Sequence, residues 1–290
     1  QSEDGELRDP FKKLTTVFQM SEEMFFLHYG KDGCNRHVLI DECRELFGEI
    51  YEQIPELPFC NIWTAMQLSS RLPKGALFHM GVSNTRRCWN MFQLPESVES
   101  ACNVGCCGID GCVSTLVGAS LVNPDRLCYV VVGDLTFFYD LNSLGNHHIG
   151  TNLRVMLVNN GRGTEFRLGI HHCNVFGDDA DKYMAAAGHF GNKSPLLVKH
   201  YAEDLGFHYL SATTKEEFMT ALSNFTNPQL SDHSMILEVF TDSKDESEAL
   251  YLMSHIQSDA KGMVRSKLKD AVRNVAGEKG INAIKKILKK

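Results

Sequence analysis

The sequence predicts an α/β fold, a doubly wound and mainly parallel sheet with helices on both faces. Four short apolar runs have the character of strands buried on both faces, at 76–82, 128–132, 153–158 and 235–240. The segments between these runs are long enough to hold a helix, which parallel strands need as a crossover. Crossovers of this kind are right-handed in nearly all sheets, which narrows the topologies that this pattern allows.

Length and composition indicate a soluble globular protein. The chain has 290 residues and 43% hydrophobic content, enough to bury a substantial core. No apolar run approaches the roughly 20 residues that span a bilayer, and the polar start does not have the character of a signal peptide. We therefore predict a soluble, cytoplasmic protein without a transmembrane segment.

Charge and cysteine usage argue against two further classes of site. The formal net charge of −7 is unfavourable for a nucleic-acid binder, which usually needs a basic face. The ten cysteines contain no CxxC pair and stand largely among apolar or glycine-rich neighbours. Their spacing is unlike common zinc or iron–sulfur patterns, so we interpret them as reduced core thiols.

Changes in composition divide the chain into three predicted parts. Residues 1–44 are mixed in character and are interpreted as a connector or the remnant of a preceding domain. Residues 45–254 hold the strand and helix pattern, and a helix-type spacing over 41–72, broken by prolines, predicts two helices. Residues 255–290 carry ten Lys or Arg and form a basic amphipathic helical tail. This tail either docks on its own protein or contacts an anionic membrane or an acidic partner.

Polar pairs follow two of the predicted strands directly. Asp134 comes after Gly133 at the end of the run 128–132, and Asn160 comes at the end of the run 153–158. Neighbouring parallel strands lie about 4.8 Å apart, so side chains leaving their carboxyl ends can converge on one ion. Gly-Asp and Asn-Asn are also common turn dipeptides, and two ordinary turns are the alternative interpretation.

This arrangement suits a magnesium ion that holds a diphosphate. Mg²⁺ prefers oxygen ligands in an octahedron and keeps positions for water and phosphate. One carboxylate from Asp134, one amide oxygen from Asn160 and a backbone carbonyl near Arg162 would leave such positions open. A helix beginning after Leu135 would direct its amino end at the same anion.

A glycine cluster at 105–111 precedes a predicted helix at 112–121. Its glycines permit close approach of the backbone to a ligand, and Asp110 is a candidate helix cap. The spacing does not fit a Rossmann nucleotide site, which needs GxGxxG after the first strand and an acidic residue some 20 positions on.

These motifs resemble a known family. The segment from Gly133-Asp134-Leu135 to Asn159-Asn160 looks like the thiamine diphosphate motif. The stretch 103–166 closely resembles the diphosphate-binding domain of the 2-succinyl-5-enolpyruvyl-6-hydroxy-3-cyclohexene-1-carboxylate synthase family, and the likeness extends over about 75–240. The resemblance implies thiamine diphosphate and Mg²⁺ as cofactors, and decarboxylation or carboligation of a 2-oxo acid as the activity.

The resemblance also assigns roles to single residues. Asp134 and Asn160 would bind magnesium together with the carbonyl of Arg162. Ile109 would support the bent cofactor, the carbonyl of Cys107 would accept a hydrogen bond from its amino group, and Phe166 would line the reaction cleft. Ile109 and Phe166 are therefore the candidate catalytic residues. The candidate cofactor-binding residues are Cys107, Gly108, Ile109, Gly133, Asp134, Leu135, Asn160 and Arg162.

The candidate substrate-binding residues are Ser83, Arg87 and Glu165. Ser83 and Arg87 match by position a serine and an arginine that meet a substrate carboxylate in the family. The chain departs from the family pattern at Val104, where an arginine is usual, and at Glu165, where an aliphatic residue is usual. Loss of a guanidinium removes a bidentate carboxylate clamp, and an added carboxylate would repel an anionic acceptor. We therefore predict a different acceptor, with Arg87 as the remaining anchor for a 2-oxo acid.

The family pattern also requires a pyrimidine-binding domain, for which this chain has no room. We expect a domain or subunit outside this sequence to complete the active site, an inactive isolated chain, and a homo-oligomer. Two alternatives remain open at this point. One is a non-catalytic scaffold or regulatory subunit on the same fold, and the other is a nicotinamide-dependent dehydrogenase.

Overall fold

The computed structural model describes residues 3–30, 38–168, 171–183 and 194–256. The chain divides into two compact units, Gln1–Gln53 and Ile54–Lys290. The predicted basic tail lies outside the described residues from position 257 onward. The three-part division drawn from composition stays a prediction.

The first unit contains two helices, α1 (Glu22–Tyr29) and α2 (Val38–Glu52). The hydroxyl of Ser21 caps α1 by accepting a hydrogen bond from the backbone N–H of Met24 at 3.3 Å. No residue of α1 is buried. The prediction of two helices over 41–72 is confirmed, because α2 lies at Val38–Glu52 and α3, in the second unit, lies at Asn61–Leu68.

The second unit is built on one sheet of six parallel strands in the order β2-β1-β3-β4-β6-β5. The strands are β1 (Leu77–Met80), β2 (Glu99–Cys102), β3 (Cys128–Gly133), β4 (Leu153–Asn159), β5 (His208–Ala212) and β6 (Met235–Phe240). The helices are α3 (Asn61–Leu68), α4 (Asn84–Trp89), α5 (Cys112–Val122), α6 (Asp134–Asp140), α7 (Ala180–Tyr183), α8 (Leu197–Asp204), α9 (Lys215–Phe225) and α10 (Ser243–Ser254). The predicted α/β class with a parallel sheet is confirmed.

Side chains alternate between two hydrophobic cores along the central strand β3. Tyr129 and Val131 belong to one core, and Val130 and Val132 belong to the other. Residues of α3, α9 and α10 fill the first core, whereas residues of α5 and α8 fill the second. Helices therefore cover both faces of the sheet, as the continuous apolar character of the strand indicates.

The two edge strands, β2 and β5, were not predicted from the sequence. Three of the four residues of β2 are exposed, and β5 has only one fully buried position. An edge strand has one partner and less burial, so it needs no continuous apolar run. The four strands that were predicted occupy the more buried positions of the sheet.

The start of α5 differs from its predicted form. Its N-cap is Gly111, which makes no side-chain capping bond. The carboxylate of Asp140 instead accepts hydrogen bonds from the backbone N–H of Ser114 at 2.7 Å and from its hydroxyl at 3.1 Å. Asp110 is therefore not the cap, because a more distant carboxylate satisfies the first turn.

Among the helices that the structure describes, none is both long enough and apolar enough to cross a bilayer.

Candidate functional site

A cleft lies at the carboxyl ends of the central strands. The chain moves from β1 outward to β2, then returns to β3 on the other side of β1 and continues to β4. Ligands of open α/β sheets bind where the strand order reverses in this way. Ser83 after β1, Asp134 after β3 and Asn160 after β4 all line the cleft.

Asp134 is the most strongly held acidic group of the cleft. It is only 2% exposed. Its Oδ1 accepts a hydrogen bond from the backbone N–H of Leu135 at 2.7 Å. Its Oδ2 accepts hydrogen bonds from the backbone N–H groups of Asn160 at 3.2 Å and Arg162 at 3.0 Å. The carboxylate thus ties the end of β3 to the loop that follows β4.

The side chain of Asn160 converges on the same point. The backbone N–H of Arg162 donates both to Asp134 Oδ2 at 3.0 Å and to Asn160 Oδ1 at 3.4 Å. One shared donor therefore brings the two predicted ligand oxygens together. The described residues contain no group of three or more His, Cys, Asp or Glu spaced to hold a metal. A cation here would consequently depend on amide and backbone oxygens beside Asp134, the hard donors that suit Mg²⁺.

A buried network behind the loop fixes its conformation. Asn159 Oδ1 accepts from the backbone N–H of Gly161 at 3.2 Å, and its Nδ2 donates to Glu238 Oε1 at 2.7 Å. The hydroxyl of Tyr209 donates to Glu238 Oε2 at 2.8 Å. Burial raises the pKa of Glu238, and the bonds from Asn159 and Tyr209 partly oppose that rise. Gly161 has φ of +81°, which permits the tight turn before Arg162.

The remaining wall of the cleft is partly apolar. Ile109 and Phe166, the two predicted catalytic residues, both line it, together with Val82 and Val158. Gly133, Leu135, Arg162 and Glu165 also line the cleft. The structure therefore brings most of the predicted site residues to one place.

Three predicted site residues do not line the cleft, namely Cys107, Gly108 and Arg87. Cys107 is exposed, and its thiol donates to the carbonyl of Val104 at 3.2 Å. Its φ of +51° is unusual for a residue with a side chain, as is the φ of +61° at Ser83. Strained backbone of this kind is concentrated at functional sites.

Arg87 and Glu165 form a bidentate ion pair. Nη1 of Arg87 donates to Oε2 of Glu165 at 2.8 Å, and Nη2 donates to Oε1 at 3.0 Å. The hydrogen bonds from Arg87 to Glu165 raise the pKa of the guanidinium. The prediction that Arg87 is an open anion anchor and Glu165 a separate repelling charge is wrong, because the two side chains pair with each other.

Four polar residues that were not predicted from the sequence also line the cleft, namely Asn61, Thr85, Thr136 and Thr164. Asn61 Oδ1 accepts from the indole N–H of Trp89 at 3.1 Å, and its backbone N–H donates to Glu246 Oε1 at 2.9 Å. Glu246 is 1% exposed, and burial raises its pKa to about 7. Asn61 and Glu246 are 185 positions apart in the sequence, so no local sequence pattern predicts their contact.

No protein-family profile matches the chain. Similarity to curated proteins is extensive, and several relatives carry the name 2-succinyl-5-enolpyruvyl-6-hydroxy-3-cyclohexene-1-carboxylate synthase. The relative from Bacteroides fragilis is 32% identical over 255 residues, which cover 86% of this chain and 43% of the relative. The relative from Phocaeicola vulgatus is 31% identical over 255 residues, 85% of this chain and 42% of the relative. The relative from Christiangramia forsetii is 33% identical over 199 residues, 69% of this chain and 33% of the relative. The chain spans less than half the length of these relatives.

Proposed function

Since the chain is a sequence relative of the 2-succinyl-5-enolpyruvyl-6-hydroxy-3-cyclohexene-1-carboxylate synthases over the part that it spans, we propose that it is the cofactor-binding part of a thiamine diphosphate enzyme. Its reaction is the decarboxylation or carboligation of a 2-oxo acid with Mg²⁺ as the second cofactor. The convergence of the Asp134 and Asn160 side-chain oxygens at the end of the central strands carries the proposal.

The donor set fits a magnesium diphosphate. Asp134 contributes one charged oxygen ligand, Asn160 contributes an amide oxygen, and the carbonyl of Arg162 completes the protein ligands. A single carboxylate keeps the ion electrophilic, and three protein ligands leave positions for water and for phosphate oxygens. Thiamine diphosphate, when bound, supplies the carbanion-stabilising chemistry that decarboxylation of a 2-oxo acid requires.

The apolar wall supports the other end of the cofactor. Ile109 and Phe166 line the same cleft as Asp134, so an organic ring system held beside the metal would contact them. Their side chains exclude water and orient the ring by contact, and neither carries a group that transfers a proton. Ser83, which precedes α4 in the segment after β1, is the proposed polar contact to the substrate.

We expect a pyrimidine-binding domain or subunit to complete this active site. The resemblance requires that second α/β domain, and the chain covers 43% of the relative from Bacteroides fragilis. A homo-oligomer and a cytoplasmic location stay predictions from the sequence.

Isothermal titration of the chain with thiamine diphosphate tests the proposal. We expect binding in the presence of Mg²⁺ and its loss when EDTA removes the metal, because the diphosphate reaches the protein through the ion. A parallel titration with NAD⁺ serves as the control for the dehydrogenase alternative. Heat of binding with NAD⁺ and none with thiamine diphosphate and Mg²⁺ would contradict the proposal.

A further inference from the structure

Arg87 and Glu165 join two segments that border the cleft. Arg87 lies on α4, which follows β1, and Glu165 lies in the short helical turn Thr164–Arg167 that follows β4. The two residues are 78 positions apart in the sequence. Their ion pair therefore exists only because the parallel sheet places the ends of β1 and β4 at the same edge.

The pair uses the face of the guanidinium that recognises carboxylates. A bidentate contact needs two parallel N–H groups and two carboxylate oxygens, and here Nη1 and Nη2 are both engaged at 2.8 and 3.0 Å. Nη1 also lies 3.5 Å from Asn84 Oδ1. The side chains of Arg87 and Glu165 are 30% and 23% exposed, so water screens the pair less than it would at an open surface.

Glu165 lines the cleft and Arg87 does not, so a substrate carboxylate in the cleft would have to displace Glu165 to reach the guanidinium of Arg87. The displaced carboxylate would remain beside the incoming one, since Glu165 itself lines the cleft. Like charges at close range in a partly buried place repel strongly. The arrangement thus disfavours an anion at Arg87 twice, by occupancy and by repulsion.

We propose that Glu165 blocks the carboxylate-binding face of Arg87, formed by Nη1 and Nη2. The cleft would then select an acceptor that carries no carboxylate at that position. That the excluded ligand is an acceptor substrate rests on the proposed function. That Glu165 blocks the guanidinium of Arg87 rests on the ion pair alone. Glu165 acts here as a specificity-determining residue.

Two small probes, used without cofactor, can measure whether loss of the Glu165 carboxylate makes Arg87 available to an anion. Benzoate offers a carboxylate on an apolar ring, and benzamide offers the same shape without charge. Ligand-detected NMR titrations of the full chain yield the dissociation constant for each probe. Glu165→Gln and Glu165→Leu, the two release variants, both remove the negative charge that pairs with Arg87. Leu also removes the hydrogen-bond-accepting side-chain oxygen that Gln retains.

We expect the wild type to bind benzoate no more tightly than benzamide. Both release variants should bind benzoate about tenfold more tightly than the wild type, with little change for benzamide, because a charge-assisted bidentate contact becomes available. In Glu165→Leu combined with Arg87→Gln, the gain should disappear. Near-UV circular dichroism confirms that each variant is folded.

A matched control lies at the opposite end of the sheet. Arg126 Nη2 donates to Glu99 Oε1 at 2.8 Å, away from the residues that line the cleft. Glu99→Gln also frees an arginine, and we expect it to leave benzoate binding unchanged. Equal binding of benzoate by wild type and both release variants would overturn the proposal, and so would a gain that persists without Arg87. Failure of magnesium-dependent thiamine diphosphate binding would contradict the proposed function. The benzoate series would still determine whether Glu165 blocks Arg87.

Discussion

The side-chain oxygens of Asp134 and Asn160 share one hydrogen-bond donor, the backbone N–H of Arg162. The two residues stand at the ends of neighbouring parallel strands, which explains how positions 26 apart come together. The shared donor holds both oxygens within 3.4 Å of one N–H nitrogen before any cation arrives. Such preorganisation lowers the cost of assembling a metal site.

The turn after β4 should depend on a glycine at position 161. Gly161 has φ of +81°, where a side chain costs about 1 kcal/mol, so Gly161→Ala should lower both stability and magnesium affinity. Urea unfolding and metal titration measure the two effects. Gly118→Ala is the matched control, because Gly118 lies in the helix α5 and a Cβ added there would have no other atom within 4 Å. That variant should gain up to about 1 kcal/mol of stability, and equal behaviour of the two variants would contradict the prediction.

Substitutions in the buried network of Asn159, Glu238 and Tyr209 should distinguish an effect on stability from an effect on the proposed metal site. Asn159→Ala removes the amide that bonds both Gly161 and Glu238, so it should lower stability by about 1–3 kcal/mol and weaken magnesium binding. Tyr209→Phe removes the other bond to Glu238 without touching the loop. It should lower stability and leave the metal affinity near that of the wild type. A similar loss of affinity in both variants would show that the effect is global.

Glu246 should make the stability of the chain depend on pH. Burial raises its pKa from 4.5 to about 7, so between these values the folded state binds the proton more tightly than the unfolded state. The contribution of this group to stability is therefore lost as pH rises from about 4.5 to 7, by roughly 3 kcal/mol in total.

Urea unfolding at a series of pH values measures this contribution. Glu246→Gln should flatten the decline between pH 5 and 7.5, since the amide does not ionise. Glu248→Gln is the control on the same helix, because Glu248 is exposed, and it should keep the wild-type profile. An unchanged pH profile in Glu246→Gln would contradict the assignment.

Local sequence was sufficient for the buried parts of the fold. The strands β1, β3, β4 and β6 could be predicted because a strand covered on both faces is apolar throughout. Asp134 and Asn160 could be predicted as a pair because the rule for parallel strands places their carboxyl ends together. The edge strands carry no such signal, since half of their surroundings is solvent or loop.

Contacts between distant side chains could not be predicted in the same way. Arg87 and Glu165 were both identified as site residues, yet their pairing depends on the exact approach of α4 to the turn after β4. Asn61 gave no signal, because an asparagine near a helix start is common and its partner Glu246 follows 185 positions later. Local sequence patterns indicate elements and strand ends, whereas the packing of the elements decides which polar groups meet.

The proposed metal site predicts that cofactor binding depends on the carboxylate of Asp134. Isothermal titration with thiamine diphosphate in excess Mg²⁺ would compare the wild type with Asp134→Ala, and with Asp125→Ala as an exposed control that does not line the cleft. We expect Asp134→Ala to weaken magnesium-dependent binding by about tenfold or more, because it removes the charged oxygen from the proposed ligands, while Asp125→Ala binds as the wild type does. Unchanged affinity in a folded Asp134→Ala variant would contradict the proposed metal site.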